Sequence, residues 1–260
     1  MSKSSGFLIP HVVKKYWMAA TGLFLCLFLV GHLIGNLQLL GAGYESSMRF
    51  NEYTVFMTTN PVVMILSYAT YLSIIIHAID GLMISIANRK ARPVGYAYSR
   101  PQRNSTWSSR NMGILGTIIL VFIVVHFQNF WYQMKFGTLP YVMTKDGQSP
   151  LTMKGEVVKG GTIEGSNVMM NGEVVGSAMK DLYVIVMESF QNPVLVIFYV
   201  LSMIALAFHL WHGFQSGFQS FGFRHPKYFP FIKKLGYAFA IIVPAAFAFI
   251  PVWIYFQGGH

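Results

Sequence analysis

Charge is what this sequence has least of: only 11% of its 260 residues are Asp, Glu, Lys or Arg, against about a quarter in a soluble globular domain. With 54% apolar and 16% aromatic residues, the chain suits the bilayer rather than water as its solvent. Cysteine is nearly missing too. The single thiol, Cys26, excludes a disulfide framework or a thiolate metal cluster and reads as a small buried apolar residue. Acid is absent in a pattern. The segment ahead of Trp17, the segment Asn88 to Asn111 and the segment Ser216 to Lys234 together hold thirteen Lys and Arg and no Asp or Glu. By the positive-inside rule these three face the cytoplasm. The segments Gly41 to Asn60 and Lys135 to Glu188, with six basic and eight acidic residues, face outward. The net charge of +10 then reflects membrane topology. No nucleic-acid-binding motif accompanies it, so no nucleic-acid partner is expected.

Five stretches are long and apolar enough to cross a hydrocarbon core of ~30 Å: Trp17 to Leu40, Pro61 to Ala87, Gly113 to Met134, Pro193 to Trp211 and Leu235 to Phe256. The first exceeds a signal-peptide core, has no clear cleavage site after it and is expected to be retained. These predict an all-α multi-pass membrane protein, one domain over residues 1–260, with a cytoplasmic N-terminus. Residues 137–180 form an extracytoplasmic insertion in which Lys145-Asp146-Gly147, Gly160-Gly161 and Asn171-Gly172 separate short stretches such as Glu156-Val157-Val158 and Glu173-Val174-Val175. That pattern predicts one or two β-hairpins acting as a cap. Gly6 to Lys15 alternates polar and apolar residues, as a short amphipathic helix on the inner surface does.

The spans repeat. Asn60-Pro61-Val62 precedes His77, which follows the Asn by seventeen residues, with Gly81 four further on; Asn192-Pro193-Val194 precedes His209 and Gly213 at the same intervals. Gly22 and Phe28 lie ten and four residues before His32, as Gly116 and Phe122 do before His126. Duplication of this kind tends to place functional sites between repeats.

An ionisable side chain inside a membrane is costly and marks a functional site by default. Here each of four successive spans carries one at a repeated position. Neutral imidazole is a good iron ligand, and two imidazoles on facing helices fill both axial positions of a haem within a four-helix bundle. Depth sets the pairing: His32 and His126 lie about 5–8 Å beyond the middle of outward-running helices, and His77 and His209 a similar distance beyond the middle of inward-running ones. The expectation is two b haems, one near each face, with His32 and His126 on one iron and His77 and His209 on the other. His212, three residues from His209, competes with it as ligand, and the repeat favours His209. His11, His225 and His260 fall in flanking segments and read as solvated. Gly81 and Gly213 carry two readings: close approach of a macrocycle to the backbone, or small-residue helix packing.

Further polar residues are candidates of lower rank. Arg89, Lys90, Arg92 and Arg110, at the inner ends of the second and third spans, are placed to pair with haem propionates; for any one of them, contact with anionic lipid or a partner subunit is the stronger reading. Asp80 is the only acid within a span; pairing with one of these arginines, contact with a haem edge and proton transfer all remain open for it. For a quinone, which needs an apolar slot, hydrogen-bonding groups at its carbonyls and a proton route, the outer end offers Asn36, Gln38 and Glu52 beside Tyr44, Phe50 and Tyr53. The rival inner end offers Trp107, Ser108 and Arg110.

With its four histidines, the His-x-x-x-Gly motifs of the second and fourth spans, Asn88-Arg89-Lys90-Ala91-Arg92-Pro93 and the His209 to Gly222 segment, the chain resembles the single-chain dihaem cytochrome b subunit of succinate:quinone oxidoreductases over nearly its whole length. The dihaem cytochromes b of the bc1 type place two widely spaced histidines on each of two helices, and no span here carries such a pair. The resemblance implies a subunit of the inner (cytoplasmic) membrane that anchors a flavoprotein and an iron-sulfur protein on the cytoplasmic face. It implies exchange of electrons between the clusters and a quinone, menaquinone-like, through two b haems. Succinate or fumarate chemistry, as in succinate dehydrogenase and fumarate reductase, would reside in a partner, and a dimer of such complexes is admitted. Some fumarate reductases carry a glutamate two residues before the fourth ligand; Ala207 stands there in this chain, which puts that proton route in doubt. The competing classes are a histidine-lined proton or metal transporter, which calls for more acids in the spans than Asp80, and a haem-free anchor, which leaves four costly histidines without a role.

Overall fold

A computed structural model describes residues 11–91, 105–137, 139, 141–144, 161–164 and 167–258. Arg92, Pro93, the Lys145-Asp146-Gly147 turn, Glu156-Val157-Val158, Gly160, the residues before 11 and His260 lie outside them. The chain is mostly helical, and five helices are long and apolar enough to cross a membrane: Val12–Leu40, Pro61–Lys90, Met112–Phe136, Pro193–Ser220 and Phe229–Gln257. Each extends past the apolar stretch that announces it. Polar first and last turns such as Gln215 to Ser220 continue the helix because interfacial water can solvate them.

In chain order the helices are α1 (His11–Asn36), continued by a 3-10 turn over Leu37–Leu40, α2 (Gly43–Thr59), α3 (Pro61–Lys90), the single turn α4 (Trp107–Arg110) and α5 (Met112–His126). A π-helical turn, Phe127–Trp131, joins α5 to α6 (Tyr132–Phe136). After four strands come α7 (Leu182–Ser189), α8 (Pro193–Ser220) and α9 (Phe229–Gln257). The repeated Asn-Pro-Val motifs are helix starts. Asn60 Oδ1 accepts from the amides of Val62 and Val63 at 3.0 and 3.3 Å, and Asn192 Oδ1 accepts from Val194 N at 3.0 Å. Proline then occupies the first helical position, where its missing N–H costs nothing.

Two sequence expectations are corrected here. His11 to Lys15 opens α1 itself rather than a separate amphipathic helix. The segment Gly41 to Asn60, for which no element is expected from the sequence, contains the 17-residue α2.

The chain divides into two compact units, with the breaks falling inside all five spanning helices. The first (1–31, 66–120, 202–245) contains the Trp211–Tyr237 stack, with ring centres 4.3 Å apart, and the Trp107–Phe208 edge contact at 5.3 Å. The second (32–65, 121–201, 246–260) is built on a core of Leu39, Phe50, Phe130, Tyr183, Phe190, Tyr199 and Ile254, among others. It also carries the small sheet: β1 (Tyr141–Thr144), β2 (Gly161–Glu164), β3 (Asn167–Met170) and β4 (Glu173–Lys180), antiparallel in the order β1-β4-β3-β2. Asn171-Gly172 is the β3–β4 turn, with φ of 53° and 82°, the left-handed pair that a two-residue hairpin requires. Gly161, by contrast, lies in β2 rather than in a turn. The described residues of the insertion thus form one sheet, closed by β1 pairing with the distant β4.

Below the sheet, a buried polar cluster ties α7 to α2. Asp181, 2% exposed, caps α7 by accepting from Val184 N at 3.1 Å, and the same Oδ1 accepts from Asn51 Nδ2 at 2.7 Å. Asn51, fully buried, accepts from Tyr183 N at 3.1 Å, and the Tyr183 hydroxyl donates to the Gly41 carbonyl at 3.3 Å. Burial, and after it the Asp181 carboxylate, pushes the Tyr183 phenol pKa up.

Candidate functional site

In the second unit the rings of His32 (α1) and His126 (α5) lie with centres 5.7 Å apart and planes at 88°. In the first unit His77 (α3) and His209 (α8) face each other at 6.1 Å and 66°. Each pair therefore joins two different spanning helices. An imidazole nitrogen binds a transition metal at about 2.0–2.1 Å, which puts two rings in line across one metal with centres about 6 Å apart. Among the described residues, no group of three or more His, Cys, Asp or Glu is placed to hold a metal ion. A metal shared by two imidazoles would need its other ligands from elsewhere, and the four nitrogens of a porphyrin would supply them. Both pairs fit a haem iron on this ground.

The local sequence explains how the rings are seated. A Cβ on Gly22 would meet His77 Cε1 at 3.1 Å, and one on Gly116 would lie 3.7 Å from His209 Cε1. The glycine ten residues before each histidine of one pair is therefore the floor under a histidine of the other pair. Gly81 and Gly213 face methionine tips instead: their Cβ positions lie 3.6 Å from Met18 Cε and 3.9 Å from Met112 Cε, ordinary contact distances. These partners repeat as well, since Met18 and Met112 precede His32 and His126 by the same fourteen residues.

Around the rings, the Tyr199 hydroxyl lies 3.3 Å from His126 Nδ1 and is hydrogen-bonded to the Asn129 side chain. Asn36 donates to the His32 carbonyl at 2.7 Å, its Nδ2 being 3.4 Å from His32 Nδ1. Thr21 Oγ1 lies 3.2 Å from His77 Nδ1. His209 Nδ1 is buried and has no hydrogen-bond partner. Phe122 stacks on His126 at 5.6 Å, and Phe247 of α9 lies 5.6 Å from His32. Neither Thr21 nor Tyr199 stands out in the sequence. The signal available for Thr21 was its place beside the repeated Gly22.

The remaining candidates are scattered. His212 is half-buried in α8, while His209 faces His77. His225 is in an exposed turn, stacked on Tyr228 at 5.4 Å. Asp80 is buried in α3, three residues from His77. Arg89 and Lys90 are exposed at the end of α3, and exposed Arg110 donates to the Ser105 carbonyl. Of the quinone candidates, Asn36 ends α1 beside His32, Gln38 lies half-buried in the following 3-10 turn, and Glu52 is exposed on α2. Phe50 is committed to the core, edge-on to Tyr183. Tyr53, next to Glu52, turns the other way. A Cβ on Gly35, three residues after His32, would meet the Tyr53 ring and hydroxyl at 2.5–2.7 Å, so α2 packs this phenol against bare backbone on α1. Burial pushes the Tyr53 pKa up. Compared with models of protein families, with characterised proteins and with solved structures, the chain gives no match.

Proposed function

We propose that this chain is the membrane-anchor and electron-transfer subunit of a succinate:quinone oxidoreductase, carrying electrons between the iron-sulfur clusters of a partner and a menaquinone-like quinone through two b haems. The observation that carries this reading is the two histidine couples, one imidazole from each of four spanning helices, at ring separations of 5.7 and 6.1 Å. The sequence resemblance gives the partners. Bound haem supplies one-electron chemistry at iron. The chain fixes the imidazoles on different spanning helices and lays Phe122 against His126 and Phe247 against His32, apolar side chains that would limit the access of water to an iron held there. The basic segments Asn88 to Asn111 and Ser216 to Lys234 form the cytoplasmic docking face for the iron-sulfur protein, alongside a flavoprotein.

An oxidised-minus-reduced optical spectrum of the purified complex is the first test. Low-spin b-type bands, with a flavoprotein and an iron-sulfur protein copurifying in mild detergent, are expected. A colourless chain isolated alone would overturn the assignment. A transporter reading has less support, because Asp80 is the only acid in the five spans.

We place quinone chemistry beside His32 and His126, at the end of α1 where Asn36 lies against His32, Gln38 follows and Tyr53 packs on Gly35, with Glu52 exposed on α2 as the link to water. Tyr53→Phe and Glu52→Gln proteins are each expected to retain both haems and dye-linked soluble activity while losing most quinone-linked turnover, about tenfold or more for a lost proton-transfer group. Full quinone activity in both variants would remove this end of the chain from the quinone reaction.

A further inference from the structure

The duplication that matches Met18 with Met112 and Gly22 with Gly116 also matches Thr21 with Leu115. Both are buried, at 5% and 4% exposure, and each directly precedes the glycine on which a histidine of the His77–His209 pair rests. Their chemistry differs. The Thr21 hydroxyl donates its one proton to the Trp17 carbonyl at 2.8 Å, which leaves an oxygen lone pair facing His77 Nδ1 at 3.2 Å. That lone pair suits an N–H, as does the Met18 backbone, which also bonds the His77 ring, and together they favour the tautomer with the proton on Nδ1 and Nε2 bare for ligation. Leucine offers nothing comparable. Correspondingly, His209 Nδ1 is buried without a partner, the one ligand nitrogen of this kind among the described residues.

We propose that Thr21 is a positioning residue for His77, and that Leu115 in the duplicated place leaves His209 without an equivalent, so that one iron is held by two chemically unequal imidazoles. This rests on the haem reading above. An acceptor on Nδ1–H makes an imidazole a stronger donor, and a stronger donor favours the oxidised metal. Thr21 therefore lowers the potential of the His77–His209 haem, and the leucine keeps it from falling further.

The test is a potentiometric titration of both haems in the purified complex. Thr21→Val removes the hydroxyl at nearly constant shape and is expected to lower the oxidised-to-reduced ratio of the His77–His209 haem about fivefold at fixed potential, roughly 40 mV at 59 mV per tenfold for one electron. Leu115→Thr, which adds an acceptor opposite, is expected to move the same haem by a similar amount the other way. Thr21→Ser should keep the native value, and the His32–His126 haem should not move in any variant. Unchanged potentials in both Thr21→Val and Leu115→Thr would overturn the proposal while leaving the haem assignment intact, as would a serine variant that shifts as far as valine. If Thr21→Val loses the haem, Leu115→Thr and Thr21→Ser decide alone. Absence of haem from the unsubstituted complex would instead remove the haem reading, and this proposal with it.

Discussion

Alanine at His209 is expected to halve the haem content of the purified complex. The loss should fall entirely on the haem held with His77, whose ring lies 6.1 Å away on α3, and alanine at His77 should give the same spectrum. His32→Ala and His126→Ala should remove the other haem instead, because their rings form a separate couple at 5.7 Å. The effect is close to all-or-none. A truncated site keeps one imidazole and a cavity, and an outer-shell change alone already costs about 10- to 100-fold in metal affinity. Haem-to-protein ratio and potentiometric resolution of the two b bands provide the readout. His212→Ala is the control and should keep both haems. Retention of both by His209→Ala, with loss in His212→Ala, would transfer the ligand role to His212.

Alanine at Asp181 is expected to loosen the sheet and α7 from α2 without touching haem content. A single carboxylate oxygen caps α7 through Val184 N and accepts from Asn51 Nδ2 in a place where neither side chain meets solvent. Removing it costs a helix cap of about 1 kcal/mol and strands a buried amide at about 1–3 kcal/mol. Local destabilisation of roughly 2–4 kcal/mol follows. The Tyr183 and Val184 amides should exchange about 30- to 1,000-fold faster, since each 1.4 kcal/mol is a factor of ten. Asp181→Asn, which keeps an acceptor oxygen but must find a place for an NH₂, should fall between. Native exchange at these amides in Asp181→Ala would show that the cluster is not what holds the cap.

What was legible in the sequence is what local chemistry decides. Continuous apolar length gives the five spans, Asn-Pro-Val gives the starts of α3 and α8 through a cap and a pre-set proline, and Asn171-Gly172 gives a hairpin turn because its two residues tolerate positive φ. The pairing of the histidines was accessible because depth follows from residue count at a fixed rise per residue. What escaped depends on partners far along the chain. The helix α2 is rich in Ser, Thr and Asn and weak in apolar pattern, and its buried face is anchored through Asn51 to Asp181, 130 residues away. The purpose of Gly22 and Gly116 was hidden for a related reason: the side chain each admits belongs to a different spanning helix. The sheet needed β1 to find β4 across a long insertion, which hairpin-by-hairpin reading does not anticipate.

The capped starts of α3 and α8 act as clocks. From Asn60 to His77 and from Asn192 to His209 the interval is seventeen residues, about 4.7 helical turns, so each ring's azimuth is counted from its own cap and from nothing earlier. An added or lost residue between cap and histidine would swing the imidazole by about 100° and take it off its partner. Any number gained or lost upstream of the cap leaves the bearing unchanged. The stretch ahead of Asn192 can therefore carry a sheet and a capping helix, and the stretch ahead of Asn60 the helix α2, without turning either ring away from its mate.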